Sequence, residues 1–333
     1  MKYDIIAIGG ATEDITFFTK EGVLIKNDND VLHQSLLAFK YGSKVKIDSA
    51  HSTFGGGAAN AAVNLAGLGL RVAALIAVGA DNRGQAVMNN LKKKKVDLRL
   101  VQKLKNIETG FSFLLMGRGN EHIVFSNRAA NEKIRISARD LKIFNQARRL
   151  YLTSLSGDWE SILENVFKSK TPIAWNPGHR QLKGGVKKIG RYLAQTDILI
   201  VNKDEAIELV YSDQKFRRKG GEYLNDPKNL LIAIKGYGPR IVVVTNGREG
   251  AECYDGKIFY HQDIIKEQKA VDTTGVGDCF GSTFVAGLKI FKGDIQKSLL
   301  AGVINTASVV GLQGAQNGLL SKGEILRRII NIK

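Results

Sequence analysis

Short apolar runs alternate with longer amphipathic stretches along this chain, and that rhythm admits few architectures. Residues 5–9, 72–78, 111–116, 150–153, 173–176, 198–202 and 241–245 read as strands. Residues 58–68, 81–95, 137–147, 159–168, 203–210 and 278–291 read as helices between them. Such alternation favours a mostly parallel sheet covered by helices on both faces. The strands lack a polar face, as buried parallel strands do. A length of 333 residues can bury such a core, and 44% hydrophobic with 24% charged residues is ordinary for a globular protein. With no repeat or low-complexity tract, a single domain over residues 1–333 is expected.

Two segments break the rhythm. Residues 11–54 are polar and poorly periodic, and 107–130 hold two short strand candidates, 110–115 and 121–125. Gly117-Arg118-Gly119-Asn120 would join those two as a hairpin, the glycines supplying the turn conformations. Strands inserted on an α/β body commonly cover a site, so parts of both segments are expected to form a lid. A surface ribbon is the plainer alternative.

Several function classes are disfavoured. The longest uncharged apolar stretch, 72–80, is closed by Arg71 and Asp81 and is too short to span a bilayer. A strand starting at Tyr3 leaves no room for a signal peptide, and the two cysteines, Cys253 and Cys279, suit a reducing compartment. A cytoplasmic protein without a membrane partner is expected. The net charge of +17 invites a nucleic-acid reading. The positive residues are dispersed over 92–95, 148–149, 187–188 and 217–219, without interleaved aromatics, so no nucleic-acid partner is expected. The charge suits anionic small molecules. There is no Gly-x-x-x-x-Gly-Lys-Ser/Thr loop, no zinc-type histidine spacing and no Gly-x-Ser-x-Gly elbow.

The strongest chemical signal is Val271-Asp272-Thr273-Thr274-Gly275-Val276-Gly277-Asp278. Phe280, Phe284, Leu288 and Phe291 then form one helical stripe. Gly275 and Gly277 clear the backbone at the start of that helix, where free N–H groups and the macrodipole favour an anion. Asp278 beside that position can accept a proton from an attacking hydroxyl. The competing account is an ordinary helix start with an acidic residue complementing the dipole.

Other blocks are ambiguous alone. Gly55-Gly56-Gly57 ahead of Asn60, with Asp81 further on, imitates a dinucleotide fingerprint, but Asn60 replaces its third glycine and 48–52 make a poor buried strand. Asn202 and Glu205 follow a strand and form either a capping box or a cation-organising pair. Thr245, Gly247 and Gly250 follow another, as a plain strand-to-turn segment would.

Taken together and in order, from Asp14 to about Gly314, these blocks resemble the ribokinase-like (PfkB) carbohydrate kinase family. The Asp278 block resembles the family's Asp-Thr-x-Gly-Ala-Gly-Asp, with Val276 for Ala. Residues 54–69 and 78–84 resemble its Gly-Gly-x-x-x-Asn and Val-Gly-x-Asp-x-x-Gly segments. The resemblance implies a three-layer α/β/α fold with a small β lid, and transfer of the γ-phosphate of ATP to a sugar hydroxyl. It implies Asp278 as base, with Gly275, Val276 and Gly277 forming the anion hole. Asp14, Gly56, Gly57 and Asn60 would hold the acceptor. Asn202, Thr245, Gly247, Gly250, Asn305 and Gly314 would line the nucleotide. Asn202 and Glu205 would organise Mg²⁺ through water, and Asp272 and Thr274 would flank a monovalent cation such as K⁺. A homodimer joined through the lids occurs in relatives and is open here. The family's Asp-x-Asn-x-Arg is altered to Asn176-Pro177-Gly178-His179-Arg180, leaving Asn176 as a phosphate-side candidate. The proline usual after Gly314 is replaced within Asn317-Gly318-Leu319-Leu320. A nucleoside acceptor is the alternative, suggested by Phe17, Phe18, Phe111, Phe113 and Phe125; a non-catalytic sugar- or nucleotide-binding regulator is the other.

Overall fold

The computed structural model describes residues 2–26, 35–116, 122–265 and 271–332. Its strands are β1 (Ile5–Ile8), β2 (Thr12–Phe18), β3 (Val23–Lys26), β4 (Ser35–Ala38) and β5 (Ser49–Gly55), then β6 (Val72–Leu75), β7 (Ala77–Gly79), β8 (Gln102–Leu104), β9 (Phe111–Met116) and β10 (His122–Asn127). There follow β11 (Arg149–Leu152), β12 (Ile173–Trp175), β13 (Ile198–Asn202), β14 (Ile241–Thr245), β15 (Ala251–Tyr254) and β16 (Phe259–Gln262). The main sheet has eight strands in the order β16-β15-β14-β13-β12-β11-β1-β6. Pairing is parallel from β6 to β14 and antiparallel beyond it.

Strand alternation builds the three layers. Ile5 and Ala7 of β1, with Ile198 and Ile200 of β13, pack on a layer containing helices Gly57–Gly67, Val276–Ile290 and Ile295–Val310. Ile6, Ile8, Leu199 and Val201 face the opposite layer, where helices Trp159–Val166, Lys203–Tyr211 and Pro227–Lys235 lie. Both faces being buried explains the unbroken apolar runs. The expected strand over 72–78 is broken at Ile76, whose carbonyl accepts from the Gln102 N–H as the chain leaves the sheet to pair β7 with β8.

The two irregular segments do combine. β10, β9, β2 and β5 form a separate four-stranded sheet beside the body, with β2 and β9 parallel. The turn residues 117–120 lie outside the described residues. β5 is a largely exposed edge strand paired antiparallel with β2. That geometry removes the dinucleotide reading, which needs a buried parallel strand before the glycines.

Polar groups weld the first helical layer together. The Asn64 Nδ2 donates to Ser282 Oγ (2.7 Å) and Thr283 Oγ1 (2.8 Å). Asn305 Nδ2 donates to Asn64 Oδ1 (2.9 Å) and Thr283 Oγ1 (2.8 Å), and its Oδ1 accepts from Leu320 N (2.8 Å). Asn305 is wholly buried with both amide ends committed. Expected to line the nucleotide, it is here an internal strut between helices. Removing it orphans the Leu320 N–H, so Asn305→Ala should cost about 1–3 kcal/mol, read as a lower urea midpoint at unchanged m-value. A midpoint equal to the parent's would show that the strut carries no stability.

Candidate active site

The site is assembled where the lid sheet joins the body. Gly56 has φ +89°, and a Cβ there would come within 2.5 Å of the Ala11 Cα and 2.6 Å of the Gly10 oxygen. A glycine is therefore required for this crossing. The Gly10 carbonyl in turn accepts from Ala58 N (3.1 Å) and Ala59 N (3.2 Å), satisfying two open donors of the helix that starts at Gly57. Asn131 pins the other side: Ala11 N donates to its Oδ1 and its Nδ2 donates to Ala11 O, both at 2.9 Å. Asp81 fixes β9 to the body by accepting from Thr109 N (2.8 Å) and Thr109 Oγ1 (2.6 Å) while capping its own helix through Gly84 N (2.7 Å). The Val-Gly-x-Asp-x-x-Gly segment thus works here as a clamp on the lid.

The short segment Gly55 to Gly57 of that crossing reaches both key carboxylates. A Cβ on Gly55 would lie 1.8 Å from Asp14 Oδ2, and one on Gly57 would lie 3.2 Å from Asp278 Oδ1. Asp14 is buried; the Ser112 and Thr12 hydroxyls lie near enough to hold its pKa down, yet its Oδ1 has no hydrogen-bond partner among the described residues. Burial raises the Asp14 pKa, opposed by those hydroxyls and by Arg128. An unpaired buried acceptor is costly, and this oxygen is open to a hydrogen-bond donor.

Asp278 stands three positions into the helix Val276–Ile290, at the point where the N-terminus of helix Gly57–Gly67 also arrives. Two helix N-termini therefore approach one small region and lend it partial positive charge, although in helix Gly57–Gly67 the Ala58 and Ala59 N–H groups are already taken by Gly10. Crowding by the protein raises the Asp278 pKa, and a hydrogen bond from Asn60 Nδ2 to its Oδ2 (2.9 Å) opposes this. The Asn60 Oδ1 accepts from Gln316 Nε2 (3.0 Å). Asn60, expected on an acceptor hydroxyl, thus has both ends of its amide bound to protein, one of them to Asp278.

The two glycines of the helix start differ. Gly275 has φ +74°, and a Cβ there would come within 2.3 Å of the Ala315 Cβ. Conformation and packing both demand it. A Cβ on Gly277 would meet nothing within 4 Å. Protein packing does not explain that glycine.

The remaining candidates lie at the carboxyl ends of β13 and β14, where Asn202 pairs in register with Thr245. Asn202 and Glu205 form a reciprocal capping box, Glu205 N to Asn202 Oδ1 at 2.8 Å and Asn202 N to Glu205 Oε2 at 2.9 Å. Burial raises the Glu205 pKa, and Glu208, Asp204 and Asp278 add to this. A Cβ on Gly247 would meet nothing within 4 Å, whereas one on Gly250 would strike the Gln262 oxygen at 2.1 Å, so Gly250 serves the turn. Asp272 accepts from Thr274 N (2.8 Å) and Gly314 N (2.9 Å), clipping the loop before Asp278 to the loop after helix Ile295–Val310. Asn176 donates to the Ile200 carbonyl (2.8 Å), and exposed His179 pairs with Glu208. Among the described residues no three His, Cys, Asp or Glu side chains form a metal cluster, and no helix is long and apolar enough to cross a membrane.

The pfkB family carbohydrate kinase model matches residues 26–322, and the chain belongs to that family. It is 28% identical to an ATP-dependent ribose-1-phosphate kinase of Halopiger xanaduensis, over 82% of this chain and 86% of that protein. It is 25% identical to a nucleoside kinase of Methanocaldococcus jannaschii, over 86% and 89% of the two chains. Its fold matches a ribokinase of Arabidopsis thaliana solved with ribose and ATP, with a TM-score of 0.80, 20% identity and 98% of each chain covered. The protein is a ribokinase-fold kinase of the class that phosphorylates sugars and nucleosides.

The glycine pair gives a test with opposite outcomes. Gly277→Ala should leave the urea midpoint unchanged and lower turnover by roughly 10–100-fold, by obstructing the anion position. Gly275→Ala should instead lose about 1–3 kcal/mol of stability through its left-handed backbone and the Ala315 clash. Equal stability losses in both variants would contradict the assignment.

Proposed function

We propose that this kinase transfers the γ-phosphate of ATP to a hydroxyl of a ribose-type sugar, with Asp278 as general base. The observation that carries the reading is the Asp278 carboxylate at two converging helix N-termini, beside the open space over Gly277. Asp14 takes an acceptor hydroxyl on its unpaired Oδ1, and Gly56 and Gly57 let the sugar approach the backbone. Asp278 removes the proton of the reacting hydroxyl as that oxygen attacks the γ-phosphorus. N–H groups of Gly275, Val276 and Gly277 stabilise charge on the transferred group, where most phosphoryl-transfer catalysis resides. The nucleotide lies along Asn202, Thr245, Gly247, Gly250 and Gly314. The acidic environment of Glu205 fits a cation, and Asn202 with Glu205 would hold Mg²⁺ through water. Bound there, Mg²⁺ supplies charge neutralisation for the phosphates. Asp272 and Thr274 would flank K⁺, the lid would exclude water, and the cytoplasm is the compartment we assign.

One feature favours a sugar over a nucleoside. Pairing and alternation put Phe17, Phe111, Phe113 and Phe125 on the lid face opposite Asp14 and its partners Ser112 and Thr53, while Phe18 shares the Asp14 face and packs edge-on against His51. Phe17 and Phe111 pack against Phe113, with ring centroids 5.6 and 5.0 Å away, and Arg83 covers Phe111. These rings therefore serve the lid itself.

ADP release from Mg·ATP should be stimulated by ribose or ribose 1-phosphate more than by fructose, fructose 6-phosphate, adenosine or cytidine, assayed with and without K⁺. Preference for a nucleoside would overturn the acceptor assignment. Asp278→Asn should lower turnover by roughly 10²–10⁴ at unchanged ATP binding; parental turnover would sink the base. Asp14→Asn should raise the acceptor KM by roughly 10-fold or more. Because burial raises the Asp14 pKa, its ionised form opposes folding at neutral pH, so this variant should be no less stable than the parent in urea.

A further inference from the structure

Beyond the base itself, three side chains from separate elements form one directed chain of hydrogen bonds ending on Asp278. Asn90 Nδ2 donates to Gln316 Oε1 (2.8 Å), Gln316 Nε2 donates to Asn60 Oδ1 (3.0 Å), and Asn60 Nδ2 donates to Asp278 Oδ2 (2.9 Å). Asn90 belongs to helix Asn82–Lys93, and Gln316 to the loop that Asp272 clips at Gly314. The direction of this chain is fixed from its end. An ionised carboxylate only accepts, so Asn60 must present its NH₂ to Asp278 and its oxygen to Gln316. Gln316 must then present its own NH₂ to Asn60, and its oxygen is left for Asn90.

We propose that Gln316 is a positioning residue for the base, acting through Asn60 and itself held by Asn90. Its NH₂ prevents the Asn60 amide from turning over, which would put an oxygen against the carboxylate. The donated hydrogen bond keeps Asp278 ionised and aims its lone pairs, while burial works in the opposite direction. The other titratable groups facing Asp278 are Glu205, Tyr151 and Cys279, and none of them belongs to the relay. The inference rests on Asp278 being the base.

Gln316→Glu and Gln316→Leu separate orientation from packing. A glutamate at this position accepts but does not donate, so Asn60 turns its NH₂ toward it and its oxygen toward Asp278. With Mg·ATP and whichever of ribose, ribose 1-phosphate or adenosine the parent phosphorylates, Gln316→Glu should lower kcat by roughly 10–100-fold. The acidic limb of its kcat–pH profile should move up by about one pH unit, because Asp278 is then protonated at higher pH. Gln316→Leu leaves Asn60 free to keep its bond and should lower kcat by only roughly 3–10-fold, with the limb in place. The KM for ATP should stay within about twofold in both, since neither change removes a nucleotide contact. Equal kcat losses in the two variants, or an unmoved limb in Gln316→Glu, would overturn the relay. Asp278→Asn is run alongside: if it keeps parental turnover, the base assignment has failed; if it is silent while Gln316→Glu keeps the parental limb, the relay alone has failed.

Discussion

The geometry of this enzyme depends on one close crossing of backbone, where Gly56 passes against Gly10 and Ala11. No side chain fits at Gly56, and the contact lets the Gly10 carbonyl close the start of helix Gly57–Gly67. The same few residues lead β2 out into the lid and bring β5 back from it. Asp14 on the lid and Asp278 on the body are thereby placed at opposite ends of a short segment, Gly55 to Gly57. A displacement at the crossing would move the two carboxylates relative to each other. Asn131 adds rigidity by bonding both polar groups of Ala11.

Around this crossing the protein uses amide side chains as oriented connectors. Asn64 and Asn305 join three helices inside the first layer, Asn131 replaces a missing strand partner, and Asn60 reaches the base. Buried amides are expensive unless every group is paired, so each of them locks a particular arrangement. The result is a rigid floor beneath a site whose lid is a separate sheet. That division suits a kinase, which must hold the attacking oxygen and the phosphorus in line and also admit the acceptor.

Much of this was legible in the sequence, for identifiable reasons. The parallel sheet showed in its apolar runs, since strands buried on both faces have no other composition available. The lid showed as a break in that pattern. The helix start at Gly275 to Asp278 was legible because glycines directly ahead of an apolar helical stripe mark an N-terminus. The roles of the asparagines were not legible, since an amide serves a ligand or a helix equally well and its tertiary partners decide. Asn305, expected to line the nucleotide and found between helices, is such a case. Gln316 and Asn131 escaped notice, because nothing local distinguishes them from surface amides. The helices over 179–193 and 221–235 and the antiparallel pair β15–β16 were also missed: short elements with glycines and charges give little periodicity.

The environment of Asp278, the base proposed here, shows how a weak base could be made adequate. A free aspartate, with a pKa of about 3.9, is ionised at neutral pH but is a poor proton acceptor. Crowding by the protein raises that value, which improves proton uptake, and carried too far it would leave the group protonated and useless. Two helix N-termini and the Asn60 hydrogen bond pull the other way. Burial and the Asn60 hydrogen bond thus act on this carboxylate in opposite directions. When a phosphoryl group arrives at the same helix ends, its negative charge competes for that positive potential and raises the basicity of Asp278 further. Under the proposed mechanism the base would thus strengthen as the donor takes its place, favouring proton removal at the step that uses it.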